Sequence, residues 1–67
     1  MIGIVKFYNS QKGFGYIRPE GFDENVFVHS TTLELSGISD LIDGQKIEFT
    51  LSKDQRGRNL ISDIMVI

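Results

Sequence analysis

The chain has 67 residues with no cysteine and one histidine, which excludes disulfides, thiolate zinc sites and histidine metal clusters. Apolar residues make up 40% and charged residues 24%, as is typical of a globular domain and not of a disordered chain. Seven Lys and Arg oppose nine Asp and Glu, and this net charge of −2 argues against a nucleic-acid partner. We expect one cytoplasmic domain spanning residues 1–67, because no segment has the length of a membrane span or a signal peptide.

Alternation with a period of two, broken by turn residues, predicts five short strands. The predicted strands are 2–8, 14–18, 25–29, 45–52 and 60–66. The segment 30–44 differs, because Ser30, Thr31 and Thr32 can cap a single helical turn over Leu33 and Leu35. The pattern predicts an all-β fold, a small closed or nearly closed barrel, since closure removes exposed sheet edges.

The second and third predicted strands separate aliphatic from aromatic residues. Ile17, Val26 and Val28 share the faces suited to a thin core. The opposite faces carry Phe14, Tyr16, Arg18, Asn25, Phe27 and His29. Exposed rings beside cations can stack on unpaired bases, each worth about 1–3 kcal/mol. The alternative is that these aromatics only close the ends of the core of a small barrel.

The first predicted strand does not alternate cleanly. Val5 and Phe7 fall on one face, whereas Lys6 and Tyr8 fall on the other. If Val5 enters the core while Phe7 joins the aromatic face, the strand requires a bulge or strong coiling between them.

Charge is segregated along the chain. Residues 1–19 contain no acid, and the cations there are Lys6, Lys12 and Arg18. The loop 53–58 adds Lys53, Arg56 and Arg58 against Asp54 alone. Residues 20–48 carry seven acids and a single Lys. The net charge therefore conceals a basic aromatic face, and the objection from composition becomes weaker.

Two segments, Lys12-Gly13-Phe14-Gly15-Tyr16-Ile17 and Val26-Phe27-Val28-His29, resemble the two ribonucleoprotein motifs of the cold-shock domain family. Val5-Lys6-Phe7-Tyr8-Asn9 and Leu41-x-x-Gly44-Gln45 also match that family, and the match covers nearly the whole chain. The resemblance implies a five-stranded antiparallel oligonucleotide/oligosaccharide-binding (OB-fold) barrel. It further implies binding of single-stranded RNA or DNA, a role as an RNA chaperone, and no catalysis, cofactor or metal.

The resemblance also assigns binding residues and reveals departures. The matching positions are Lys6, Phe7, Tyr8, Lys12, Phe14, Tyr16, Phe27 and His29, with Arg56 in a flanking loop. Phe7 stands where the family has Trp, and Asn25 replaces a common Asp. Ser30 and Ile38 stand where most bacterial members have Phe. Two missing rings predict weaker binding or a shorter footprint than in relatives that have them.

A rival interpretation is a protein-interaction or dimerising barrel with a weakened nucleic-acid face. The substitutions at Ser30 and Ile38 and the apolar tail 64–67 motivate it. We expect a monomer, with a dimer formed by strand pairing of that tail as the alternative. An enzyme is disfavoured, because His29 has no second His, Cys or activated nucleophile beside it in the sequence pattern.

Overall fold

The computed structural model describes all 67 residues and contains five strands and one short helix. The strands are β1 (Ile2–Asn9), β2 (Phe14–Pro19), β3 (Val26–His29), β4 (Lys46–Lys53) and β5 (Asn59–Val66). The helix α1 (Ser30–Leu35) directly follows β3 and begins the connection to β4. Each strand lies within about one residue of its predicted position, because period-two alternation is a strong signal in half-buried strands.

The five strands form one antiparallel sheet in the order β3-β2-β1-β4-β5. The sheet curls until β3 and β5 pack against each other, although no ladder of hydrogen bonds joins them. The result is a curled half-barrel, which confirms the predicted all-β, five-stranded antiparallel architecture. The helix has six residues, and no helix of the chain is long and apolar enough to cross a membrane.

The core lies inside the curl and consists of aliphatic residues with a single aromatic ring. Its ten buried hydrophobic residues are Val5, Ile17, Val26, Val28, Leu33, Leu41, Ile47, Phe49, Ile61 and Ile64. The prediction that Ile17, Val26 and Val28 occupy the core is therefore confirmed. Leu33 of α1 closes one end of the core, whereas Leu35 of the same turn is exposed.

Strand β1 contains the bulge that its residue pattern requires. Val5 pairs with Ile17, and the next pair is Phe7 with Tyr16, so Lys6 is an extra residue. The side chain of Val5 is consequently buried while that of Phe7 is exposed. The bulge therefore turns the second half of β1 so that Phe7 joins the aromatic side of β2.

A second bulge lies between β4 and β5. Glu48 pairs with Met65 and Thr50 with Ser62, so Phe49 faces two residues of β5. One of them, Asp63, has a φ of 52°, the only positive φ outside glycine. Asp tolerates this left-handed region better than most residues, but a side chain there still costs free energy.

Replacing Asp63 with Gly is expected to raise the free energy of unfolding by about 0.5–1 kcal/mol, because Gly has no Cβ to strain. Asp63→Val is expected to lower it by about 1 kcal/mol or more, since a β-branched residue fits the left-handed region poorly. Denaturant unfolding measures both, with Asp63→Asn as the control for lost charge. A Val variant as stable as the Gly variant would contradict the assignment of strain to this position.

Candidate nucleic-acid interface

Five aromatic side chains from β1, β2 and β3 form one group, which we call the ring cluster: Phe7, Phe14, Tyr16, Phe27 and His29. Phe14 is central. Its ring centroid lies 5.9 Å from that of Phe27 in a stacked arrangement with 19° between the planes. The rings of Phe7 and Tyr16 approach Phe14 edge-on at 6.0 and 6.2 Å. The centroid of His29 lies 6.4 Å from that of Phe27.

Strand register brings these rings to one side of the sheet. Tyr16 pairs with both Phe7 on β1 and Phe27 on β3, and Phe14 pairs with His29. Residues paired directly across antiparallel strands present their side chains on the same face. The alternation within β2 and β3 therefore produces a continuous aromatic layer, which the β1 bulge extends to Phe7.

The ring cluster lies on the surface of the barrel. The exposed fraction is 40% for Phe7, 38% for Tyr16 and 50% for Phe27, and Phe14 is half-buried among them. None of the five rings belongs to the buried core. The alternative in which these aromatics only close the ends of the core therefore does not fit the structure. Solvent-exposed rings grouped in this way mark an interaction surface.

Tyr8 does not join the ring cluster, although the resemblance groups it with the binding residues. Its half-buried ring packs against the core. Burial raises the pKa of the Tyr8 hydroxyl above its usual 10.0, and the carboxylates of Asp40 and Glu34 raise it further. Because strand alternation resumes after the bulge, Tyr8 follows Phe7 on the opposite side of the sheet. Its position therefore corresponds to packing at one end of the barrel.

His29 both joins the ring cluster and caps helix α1. Its Nδ1 accepts a hydrogen bond from the backbone N–H of Thr31 at 3.2 Å. A backbone N–H can only donate, so the neutral imidazole carries its proton on Nε2, which remains a free donor. The prediction that the run Ser30 to Thr32 caps the helix is therefore wrong. Ser30 is already helical, and its backbone N–H donates to the carbonyl oxygen of Gly13 at 2.8 Å.

Two of the predicted cationic residues, Lys6 and Lys12, lie next to the ring-bearing strands, and neither has an acidic partner. Lys6 is the extra residue of the β1 bulge, and Lys12 lies in the turn between β1 and β2. The backbone N–H of Lys12 donates to Asn9 Oδ1 at 2.9 Å, which stabilises that turn. The only ion pair in the structure joins Arg58 to Asp54. The charges of Lys6, Lys12 and Arg56 are therefore exposed and available to an anion.

An open groove of about 660 Å³ adjoins the exposed side of the ring cluster. Its lining includes Glu24, Asn25 and Phe27 at β3, and Lys53, Asp54, Arg58 and Leu60 from the β4–β5 region. Sequence reasoning assigned Arg56 to this region, but Arg56 lies outside the lining of the groove, where Arg58 stands instead. Only the curl of the sheet brings the β4–β5 loop beside β3, so no local sequence signal identifies Arg58.

Arg18 and Asn25 form a polar contact beside the ring cluster. Arg18 Nε donates to Asn25 Oδ1 at 2.7 Å. Because a guanidinium has no acceptor, this contact fixes the orientation of the Asn25 amide and leaves its NH₂ group as a free donor. The arrangement as a whole offers ring faces, unpaired cations and a few hydrogen-bond donors.

Comparison with known proteins is consistent with this geometry. The family model described as the 'Cold-shock' DNA-binding domain matches residues 1–61. The chain belongs to the cold-shock domain family. It is 43% identical over 61 residues to a probable cold shock protein of Sinorhizobium fredii, covering 91% of this chain and 88% of that protein.

Two further relatives have similar coverage. The cold shock-like protein CspG of Escherichia coli is 42% identical over 57 residues, which is 85% of this chain and 81% of that protein. The cold shock-like protein CspD of Haemophilus influenzae is 43% identical over 56 residues, or 84% and 78%. The family resemblance inferred from the two motifs is therefore confirmed. Cold-shock domains bind nucleic acid and are not enzymes, in agreement with the expectation from sequence.

This cold-shock domain has no aromatic ring at positions 30 and 38. Ser30 is half-buried close to Gly13, where a Cβ built on the glycine would lie 3.0 Å from Ser30 Oγ. Ile38 is half-buried and packs against the core. The aromatic layer therefore ends at His29, since neither of these side chains can extend it.

Asp54 organises the loop between β4 and β5. Its Oδ1 accepts hydrogen bonds from the backbone N–H groups of Arg56 and Arg58 at 2.8 and 2.9 Å, and its Oδ2 accepts one from Arg58 Nε at 3.1 Å. The backbone hydrogen bond from Arg58 is the main cause that holds the pKa of the Asp54 carboxyl below its usual 3.8. The same carboxylate thus positions both arginines of the loop.

Loop order is expected to depend on acid pH. Because folding lowers the pKa of Asp54, its carboxylate stabilises the folded loop fully above the ordinary pKa of 3.8. This stabilisation is lost as the pH falls through the lower pKa of the folded state. NMR should show the amide resonances of Arg56 and Arg58 titrating together with a midpoint below pH 3.8. In the Asp54→Asn control this step should vanish, and an identical titration in that variant would contradict the assignment.

Proposed function

We propose that this chain binds single-stranded RNA or DNA by stacking unpaired bases on the ring cluster. Lys6 and Lys12 hold phosphates beside the rings, and Arg56 holds a phosphate farther along the strand, from the β4–β5 loop. His29 contributes both a ring face and its Nε2–H donor. The observation that carries the proposal is the exposed aromatic layer on β1, β2 and β3 with unpaired cations around it. All five rings come from one chain, so a monomer suffices for binding.

The rings supply most of the affinity in this proposal. Each stacked base contributes about 1–3 kcal/mol, so the three exposed rings of Phe7, Tyr16 and Phe27 supply several kcal/mol together. Three phosphate contacts give a salt slope of only about −2, since each contact to a single strand contributes roughly −0.7. The net charge of −2 is compatible with binding of this kind because few cations are required.

Stacking explains how the chain would act as an RNA chaperone. A base held against a ring cannot pair with another base, so binding opposes the refolding of an RNA strand. Ring faces accept every base, and selectivity for sequence is therefore low. We place this activity in the cytoplasm.

Titration of fluorescent heptamers tests the proposal, with thymidine and uridine strands compared with a duplex of the same length. We expect the single strands to bind, the duplex to bind far more weakly, and affinity to fall with salt at a slope near −2. A labelled strand is needed because the chain contains no Trp. Absence of single-strand binding, or equal affinity for the duplex, would refute the proposal.

Restoring one missing ring is expected to strengthen binding. Ser30→Phe adds a stacking face next to His29, and one additional stacked base should raise affinity for a heptamer about five- to tenfold. Ser39→Phe places the same ring at an exposed position outside the ring cluster and serves as the matched control. Equal affinities for both variants would show that the aromatic layer does not end where we place it.

A further inference from the structure

The barrel carries a second exposed surface that the proposed function does not use. It lies on the outer face of β1, β4 and β5 and the end of β2. The side chains of Met65 and Ile67 are 63% and 65% exposed there, and Ile2 and Ile4 are half-buried beside them. Neighbouring exposed apolar side chains of this kind indicate a contact surface.

One row of this surface, the basic row, crosses four strands. Strand register pairs Arg18 with Ile4 and Ile4 with Lys46. The backbone N–H of Ile67, the residue that follows β5, donates to the carbonyl oxygen of Lys46 at 3.4 Å and so adds Ile67 to the row. Across the sheet the basic row therefore reads Arg18, Ile4, Lys46, Ile67.

A second row, the acidic row, lies two residues away along each strand. The backbone N–H of Glu20 donates to the carbonyl oxygen of Ile2 at 2.9 Å. Ile2 pairs with Glu48, and Glu48 pairs with Met65. The acidic row reads Glu20, Ile2, Glu48, Met65, so it repeats the alternation of the basic row with the opposite sign.

The charges of these two rows are not neutralised within the chain. The only ion pair joins Arg58 to Asp54, in the β4–β5 loop. Arg18 donates to the neutral side chain of Asn25, which leaves its charge uncompensated. Lys46 and Glu48 are both exposed. The opposite charges of the patch therefore remain available to a partner.

We propose that this face binds a second copy of the chain in a symmetric homodimer. The two-fold axis lies in the plane of the face, perpendicular to the strands and midway between the two rows. It places the basic row of one chain against the acidic row of the other. Lys46 then meets Glu48, and Arg18 meets Glu20. The same operation places Ile4 against Ile2, and Ile67 against Met65.

A second copy fits this face because the pattern is complementary to itself. An isologous interface requires that if one residue contacts another across the axis, the reverse contact also exists. On every strand of this patch the two residues involved are either a pair of opposite charges or a pair of apolar side chains. Complementary charges across an interface fix register and suppress other partners.

The dimer is expected to be weak. Strands are about 4.8 Å apart and the two rows about 6.7 Å apart, so the patch is smaller than the roughly 800 Å² per partner of a standard interface. We therefore expect a dissociation constant on the order of 0.1–1 mM. None of the five rings lies in either row, although Arg18 of the basic row lies beside the ring cluster.

Sedimentation equilibrium from about 0.05 to 2 mM spans the expected dissociation constant. The contact between positions 46 and 48 occurs twice in the symmetric dimer, and each of the single variants Lys46→Glu and Glu48→Lys makes both contacts repulsive. Each variant should therefore weaken dimerisation at least about tenfold. An equimolar mixture of the two variants should form a heterodimer, because every charged pair at these positions is again opposite. The double variant Lys46→Glu/Glu48→Lys should dimerise like the native chain.

These outcomes separate our proposal from its alternatives. A native chain that stays monomeric throughout that range would overturn it. A dimer that persists unchanged in both single variants would also overturn it, and would favour strand pairing through the apolar tail. Thermal unfolding of each variant checks that the barrel is intact, and both substituted side chains are exposed. The result does not depend on nucleic-acid binding.

Discussion

Gly15→Ala is expected to lower the free energy of unfolding by about 3 kcal/mol or more, which is a large fraction of the stability of a small domain. A Cβ at this position would overlap the carbonyl oxygen of Phe7 and would lie 2.8 Å from Cα of Tyr8. Both contacts are with backbone, so no side chain can move aside. Relief of the clash requires β1 and β2 to separate. Their separation would also disturb the ring cluster, because the pairing of these strands holds Phe7 beside Tyr16.

Gly21→Ala is the matched control for this prediction. Gly21 has a φ of 85° and no atom within 4 Å of a Cβ built there, so its substitution costs only backbone strain of about 1 kcal/mol. Denaturant unfolding monitored by circular dichroism compares the two variants. Similar losses of stability would show that close approach of the strands is not what requires glycine at position 15.

Removal of Phe14 and Phe27 together is expected to abolish most single-strand binding. The rings of these residues stack on each other at the centre of the cluster. Loss of two stacking faces at about 1–3 kcal/mol each should weaken heptamer affinity at least about thirtyfold in the double alanine variant. Fluorescence anisotropy with the labelled heptamer measures the change.

Two controls make that result specific. Leu35→Ala removes a side chain that is 91% exposed and outside the ring cluster, and it should leave affinity unchanged. Thermal unfolding should show that the double variant still folds, since neither ring belongs to the buried core. Retention of native affinity by a folded double variant would contradict stacking on these rings.

The arrangement of strands and faces follows from local sequence. Ile17, Val26 and Val28 alternate with Phe14, Tyr16 and Phe27, and a period of two admits only one division into inner and outer faces. The sequence also indicated that β1 needs either a bulge or strong coiling if Val5 is buried and Phe7 is exposed, and the structure contains the bulge at Lys6. In both cases the information lies in neighbouring residues.

Other features could not be predicted from neighbouring residues alone. The side chain of Tyr8 turns to the core because the bulge precedes it, and the cap by His29 depends on a rotamer that sequence does not encode. Arg58 reaches the groove beside Phe27 only because the sheet curls.

Net charge proved a poor guide to the binding surface. The acids of residues 20–48 include Glu34 and Asp40, which lie near Tyr8, and Glu48, which lies on the outer face of β4. None of them forms an ion pair with the cations around the ring cluster. A chain with an overall charge of −2 can therefore present an aromatic surface whose flanking cations remain free.

Stacking of bases on the ring cluster is tested most directly by an NMR search for intermolecular contacts with heptathymidine. Stacking on the ring cluster should produce nuclear Overhauser effects from thymine methyl groups to the rings of Phe14, Tyr16 and Phe27, and this is the result we expect. We expect none to Tyr8 or Phe49, which pack in or against the core. Methyl contacts confined to other surfaces, or a bound complex without contacts to these three rings, would contradict stacking on the ring cluster.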